Sequence, residues 1–376
     1  MLRFLTAGES HGQGLSAIIE GLPAGLAISE EDINSLLERR QCCYGRGARM
    51  KKIEKDRARI ISGVRHGVTI GSPLALYIEN KDWAARRSTA SKSGHIPRPG
   101  HADLAGVTKY RFGDIQDVIE RASARETAIR TAVGAVAKRF LAEFGIEIIG
   151  HVVAIGGKFS RRRKLTVPQI RHAISTSPVY CADPMAARAM CRQIDRARQD
   201  GDTLGGVFEV VLADAPVGLG SYVHWDRKID GRLAQAVLSI PSVKGMEFGA
   251  AIRNAGRPGS MVHDEITISG ENVVRMSNRA GGLEGGVTNG EHIVIRGFAK
   301  PISSLRTPLR SVNLRSKKAT RAPYVRSDVC VVPAISVIAE AMVAWVIAEC
   351  FVEKFGGDSM SEIRDNHTRA VHHIHG

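Results

Sequence analysis

The chain has 376 residues, 43% apolar and 24% charged, and a formal net charge of +15. Such a chain can bury a sizeable core as one large domain or two ordinary ones; its most apolar run, 337–351, holds Glu340 and Glu349 and is too short to span a bilayer comfortably. The basic surplus favours anionic partners, but with only 5% aromatic residues and arginines scattered beside glycine-rich turns it suits a pocket for small polyanions better than a nucleic-acid track.

The N-terminal MLRFLTAGESHG has no apolar signal core, so a cytoplasmic protein is expected. Within it TAGESHGQG (6–14) sets Glu9, Ser10 and His11 among glycines. His11 is either a catalytic group on a backbone bent to serve it or one polar residue in a tight turn. Ser29, followed by Glu30, Glu31 and Asp32, opens a helix over 29–40. RRQCCYGRGAR (39–49) then places Arg39, Arg40, Arg46 and Arg49 across a helix end and a glycine-rich loop. Such a loop can clamp carboxylate or phosphate bidentately, or it is a solvated charge run. Strands are expected at 58–63 and 72–78.

PRPGHAD (97–103) is stiff, because prolines fix the backbone on both sides of Arg98 and leave His101 at the end of a turn. Stiffness suits an acid–base group, and a turn histidine held by Asp103 is the plainer alternative. RASARET (121–127) fits a capping box, Ser123 to Glu126, for a helix whose apolar positions run from Ile129 to Leu141. A helix start flanked by Arg121 and Arg125 is also an anion site. Further strands are expected at 206–213, 265–268 and 292–298, a short helix at 231–240 and a long buried one at 334–355. GGLEGGVTNG (281–290) reads as a hairpin or a loop that lets backbone approach a ligand. KPISS (300–304) adds a cation and two hydroxyls, and RSDVC (326–330) pairs a cation with a carboxylate. Residues 357–376 are polar and are expected to form a flexible tail after a domain spanning 1–356.

Strands and helices mix without regular βαβ alternation, so the fold class is α+β and not Rossmann. No Walker sequence occurs and TAGESHGQG lacks the strand–GxGxxG–helix context, so neither ATP nor NAD chemistry is expected. The six cysteines, Cys42, Cys43, Cys181, Cys191, Cys330 and Cys350, show no zinc or CxxC spacing, and reduced thiols are expected. No metal site is expected.

Taken together and in this order, GESHG, RRQCCYGRGARM, PRPGHADL, RASARETA, LSIPSVKGMEFG, GGLEGGVTNG, KPISSL and RSDVC resemble chorismate synthase from residue 1 to about residue 355. The resemblance implies a single large domain with a β-α-β sandwich core, usually a homotetramer. It implies an anti 1,4-elimination in which 5-enolpyruvylshikimate 3-phosphate loses phosphate and a ring proton to give chorismate, with reduced FMN and no net redox change. Three catalytic roles carry over. His11 gives a proton to the leaving phosphate, His101 keeps the reduced flavin in its correct protonation state, and Asp328 assists proton abstraction. Substrate contacts carry over to Ser10, Arg40, Arg46, Arg49, Arg98, Arg125 and Arg326. Flavin contacts carry over to Arg121, Ala122, Ser123, Gly285, Lys300, Ser303, Ser304 and Arg326. The resemblance also places NADPH contacts at Arg40 and Arg46, with NADPH entering only as an indirect reductant. With no reductase insertion, the monofunctional type is implied, dependent on an external flavin reductant.

The sequence departs from the pattern twice. Ser327-Asp328-Val329 stands where many members have His-Asp-Pro, which keeps the aspartate and loses a local histidine. Met261-Val262 replaces a partly polar pair at a flavin contact. The alternatives are another flavin-dependent enzyme acting on a small anion, which would be expected to show a nicotinamide site, and a nucleic-acid binder, whose affinity would fall steeply with salt.

Overall fold

The structure is a computed structural model that describes residues 1–46, 56–81, 83, 94–161, 165–324 and 328–374. It opens with a hairpin, β1 (Arg3–Gly8) and β2 (Gly14–Glu20), in which Leu15, Ala17 and Ile19 point inward and Ile18 outward. That period of two is what a half-buried strand requires. Helix α1 (Glu30–Gln41) follows, started by a capping box between Ser29 and Asp32. β3 (Ala58–Ser62) and β4 (Leu74–Glu79) complete an antiparallel sheet in the order β1-β2-β4-β3.

Two short helices, α2 (Asp103–Tyr110) and α3 (Ile115–Ala122), pack on each other through Val107, Ile115 and Val118. α4 (Thr127–Ala142) leads into β5 (Glu147–Ile155) and β6 (Lys158–Phe159), then α5 (Val167–Ser175) and α6 (Pro184–Asp200). β7 (Gly206–Ala213), α7 (Ile229–Leu238), β8 (Val243–Phe248) and β9 (Ile293–Ala299) follow. The second sheet is also antiparallel, in the order β8-β9-β7-β5-β6. The chain ends in α8 (Val332–Phe355) and α9 (Met360–Ile374).

Between the sheets lie α1, α4 and α8, with α4 against the first sheet and α8 against the second. The mixed α+β reading and the sandwich core both hold. α8 is long and apolar enough to cross a membrane, yet 94% of its most apolar stretch is buried inside the protein. A helix apolar on every side belongs in a core. Gly134 lets α4 approach it, since a Cβ there would lie 2.3 Å from Ala341 O.

A fully buried carboxylate sits in this layer. Glu340 of α8 is fully buried, bonded by Arg39 Nη1 at 2.9 Å and Nη2 at 3.1 Å, by Gly150 N at 2.8 Å and by Lys138 Nζ. Burial pushes its carboxyl up, but the two cations outweigh it and hold the group near about 2. Arg39, counted in the sequence among the guanidinium groups of an anion-binding loop, is thereby committed to the core.

Two expectations change. Ser123 does not form a capping box with Glu126; its Oγ accepts from Arg125 N at 3.3 Å and caps one 3₁₀ turn, Ala124–Glu126, from which α4 starts. The polar segment after residue 356 carries α9. Ser359 and Glu362 cap its start, Met360 and Ile363 are buried, and His367 packs on Phe144, Phe351 and Phe355. That apolar spacing of three and four was hidden by the polar average. The strand at 147–155 and helices α5 and α6 were not anticipated at all.

Candidate active site

TAGESHGQG is the end of β1, a turn at 9–13 and the start of β2. Gly8, at φ +109°, turns the chain where a Cβ would lie 2.3 Å from Gly14 O. Asn80, just past β4, holds the turn with Nδ2 donating to Glu9 O at 3.1 Å and Gly12 O at 2.8 Å. The turn presents His11 to α3. His11 N donates to Glu120 Oε2 and His11 Nδ1 meets Glu120 Oε1, both at 2.8 Å. Gln116, one turn earlier on α3, donates to the same Oε1 at 2.5 Å. Burial works against ionisation of Glu120, but the bonds from His11 and Gln116 win and hold it near about 2. With Nδ1 engaged by the carboxylate, Nε2 is the ring nitrogen left for chemistry. Ser10 Oγ donates to Ser123 Oγ at 3.1 Å, which ties the turn to the start of α4.

His101 repeats the arrangement on shorter terms. Its Nδ1 meets Asp103 Oδ1 at 2.5 Å, and Asp103 is the first residue of α2. Arg98 completes the knot: its Nε donates to Asp103 Oδ2 at 2.8 Å, its Nη2 to Asp103 Oδ1 at 3.0 Å and its Nη1 to Ser304 Oγ at 3.3 Å. Burial opposes the charge on Asp103, yet His101 and Arg98 hold its carboxyl far below the usual carboxylate range. Lys300 Nζ lies beside this loop, donating to Gly100 O at 3.0 Å. Its hydrogen-bond partners among the described residues are carbonyl oxygens. Burial, then the nearby Lys244, push its ammonium below the ordinary lysine value. A partly desolvated lysine near a second cation, with the hydroxyls of Ser303 and Ser304 alongside, is a donor set that fits an anionic cofactor such as FMN.

A third group of charges adjoins the His11 turn through Asn80. Arg40 is buried, and its guanidinium donates to Thr127 Oγ1 at 2.9 Å, Ala124 O at 3.1 Å and Asp56 Oδ2 at 3.5 Å. Arg125 pairs with the same Asp56 and with Asn80 Oδ1, at 2.7 Å from Nη2. Arg46 Nη1 lies 2.6 Å from Asp328 Oδ2, so two residues far apart in the chain form one ion pair. Val329 N donates to Gly45 O and Leu204 N to Val329 O, both at 2.9 Å. Thr203 Oγ1 donates to Ile302 O at 2.7 Å, next to Ser303 and Ser304.

His11, Ser10, Ser123, Arg125 and Arg40 thus share one network, and His101, Arg98 and Ser304 another. Arg46 and Asp328 lie along the path to the second. Arg121, expected at the flavin, donates to Thr6 O and Gly8 O at 3.1 Å each and braces the strand before the His11 turn. Ala122 closes α3. Gly285 sits in the turn of a small hairpin (Leu283–Glu284 with Val287–Thr288) held to α7 by Ile229 N, and among the described residues no hydrogen bond ties that turn to either histidine. Met261 is exposed at the end of a short 3₁₀ turn. Arg49 and Arg326 lie outside the described residues.

Sequence reasoning missed Glu120, Gln116, Asn80 and Asp56. Each acts across a long stretch of chain, and nothing in its local sequence marks it.

Comparisons with known proteins agree on one family. A sequence description of the family named chorismate synthase matches residues 2–352. The chain is 52% identical over 391 residues to chorismate synthase from Geobacter sulfurreducens, covering 100% of this chain and 99% of the relative. It is 54% identical over 374 residues to that of Moorella thermoacetica, covering 97% of each. A solved structure titled as the crystal structure of chorismate synthase superposes with a TM-score of 0.82 at 43% identity, covering 100% of this chain and 98% of the other. Resemblance in eight separate motifs, the two-sheet sandwich and these matches along the whole length converge: the chain belongs to the chorismate synthase family.

Proposed function

We propose that the chain converts 5-enolpyruvylshikimate 3-phosphate to chorismate and phosphate in aromatic amino-acid biosynthesis, as a lyase. The observation that carries the reading is a pair of histidines, each fixed through Nδ1 by a carboxylate, in a family that performs this elimination. A C–O bond to phosphate and a ring C–H bond break and a C=C bond forms, so one group must supply a proton and another must help remove one. His11 Nε2 delivers the proton to the leaving phosphate, with Glu120 fixing ring orientation and stabilising the charged imidazole. Asp328, oriented by Arg46, assists removal of the ring proton. Arg125, Arg98 and Arg46, with Arg49 and Arg326, neutralise the two carboxylates and the phosphate of the substrate. Buried Arg40 holds Ala124 and Asp56 beneath them.

Lys300, Ser303, Ser304, Ala122, Ser123 and Arg121, with Gly285 and Arg326, would hold the cofactor, and His101 would keep its reduced form in the correct protonation state. Reduced FMN, when bound there, would supply electron density for the departure of phosphate and take it back, with no net redox change. We read the enzyme as a cytoplasmic homotetramer served by an external reductant, with NADPH acting only indirectly. Exposed Leu5 and Ile18, paired across the outer face of the first sheet, support assembly.

Anaerobic incubation with dithionite-reduced FMN and the enolpyruvyl phosphate should produce chorismate absorbance. Folded protein that yields no chorismate would sink the proposal. Light scattering of the purified enzyme tests the tetramer, and a monomeric mass would remove it.

A further inference from the structure

A cavity of about 410 Å³ lies between α5 and α6, lined by Ala173, Pro178, Pro184 and Ala187 among others, and none of the residues assigned to substrate or flavin lines it. Two arginines of α6, Arg188 and Arg192, stand one helical turn apart on its lining. Elsewhere on this helix the arginines are matched, Arg196 to Asp200 and Arg198 to Asp195. Arg188 and Arg192 have no carboxylate partner among the described residues. The remaining wall includes the hydroxyl of Thr176 and the thiol of Cys191. An apolar floor with a few convergent polar groups, in this volume range, is the usual form of a small-molecule site.

The wall is also strapped to the catalytic loop. Pro178 O accepts from Tyr44 N at 2.8 Å, and Tyr44 Oη donates to Asp195 Oδ1 of α6 at 2.7 Å. Two residues beyond Tyr44 stands Arg46, paired with Asp328. Nearby, Tyr180 Oη donates to Arg39 O at 2.7 Å, at the end of the helix that carries Arg40.

We propose that this cavity binds a small ring-bearing monocarboxylate, its ring on the alanine and proline floor and its carboxylate on Arg188 and Arg192, and that occupancy alters substrate binding through the Tyr44–Arg46 segment. Two adjacent guanidinium groups without carboxylates attract an anion, and the lining offers no third cation for a second charge. The binding claim stands on the cavity alone. The coupling claim rests on the catalytic reading of Arg46.

Cys191 reports on the site directly, because its half-buried thiol lines the cavity while Cys42 is exposed elsewhere. Burial, and then Asp195, raise the Cys191 thiol above its ordinary value, so alkylation by iodoacetamide is followed at alkaline pH by peptide mass spectrometry. The probe is 2-naphthoate. Saturating probe should slow alkylation of Cys191 by at least about tenfold and leave Cys42 unchanged. In the Arg188→Ala/Arg192→Ala variant, the half-protecting concentration should rise by roughly tenfold, and uncharged 2-naphthamide should protect the parent enzyme as weakly. Unprotected Cys191 at millimolar probe overturns the site, and equal protection in the double variant overturns its anion recognition.

Turnover separates the second claim from competition at the active site. The probe should change the KM for substrate in the parent enzyme and leave it unchanged in the double variant. Protection of Cys191 with an unaltered parent KM overturns the coupling. Equal KM shifts in parent and double variant also overturn it, by assigning the effect to the catalytic arginines.

Discussion

The two histidine centres solve one problem with different architecture. Both engage Nδ1 with a carboxylate and leave Nε2 for chemistry, and both carboxylates come from the packed pair α2 and α3. At His101 the carboxylate is two residues away, in a turn stiffened by proline and knotted by Arg98. At His11 it comes from the last turn of a helix 109 residues along the chain, and it grips the backbone N as well as the ring. A local pair is ordered almost as soon as its turn forms. A distant pair exists only when α3 docks against the hairpin, so docking itself sets the position of the ring.

Removing either imidazole tests whether both centres serve the reaction. His11→Ala and His101→Ala should each lower kcat by roughly 10²–10⁴-fold, the usual range for an acid–base group. Near-normal turnover in one variant would confine the chemistry to the other centre. The next largest effect is expected from Asp103→Asn, which disturbs His101 and releases Arg98 together. Its kcat should fall by roughly 10²–10³-fold with a raised KM for substrate. A fall in kcat alone would show that Arg98 is held by its other contacts.

Glu120→Gln keeps the size of the side chain but only one acceptor oxygen, so the backbone N–H and a protonated Nδ1 of His11 can no longer each find an acceptor. A loss of roughly 10–10²-fold in kcat with unchanged KM is expected, because Glu120 orients His11 without touching substrate. A matching rise in KM would make its role one of general structure. The smallest effect is on acid stability. The Glu120 carboxyl falls from 4.5 to about 2 on folding, so its contribution is complete above about pH 4.5 and lost as pH drops through 2. Chemical denaturation across that window should show a shallower pH dependence for Glu120→Gln than for the parent, and identical slopes would remove the linkage.

The same contrast explains what could be read in advance. His101 with Asp103 was legible because the whole pair lies inside PRPGHAD, where proline and spacing fix its geometry. The Ser29 cap and the buried run at 334–355 were legible for the same reason, being properties of neighbouring residues. Glu120, Asn80 and Asp56 were not, because their meaning arises only when strands and helices distant in sequence are brought together. Arg39 shows the limit most clearly. By charge and spacing it could not be told from Arg40, which the family resemblance alone singled out, and only the fold shows Arg39 bound to the core carboxylate and Arg40 beneath the site.

Glu340 and Arg39 are 301 residues apart. An ionised carboxylate cannot remain in an apolar layer without its cations, so α8 cannot settle until α1 and α4 have brought Arg39 and Lys138 to it. A growing chain on the ribosome would hold its first sheet and α1 unfinished through nearly the whole of synthesis, waiting for a helix that emerges near the end. Contacts of that separation make folding slow, and a truncation between residues 138 and 340 leaves two cations without the carboxylate they face.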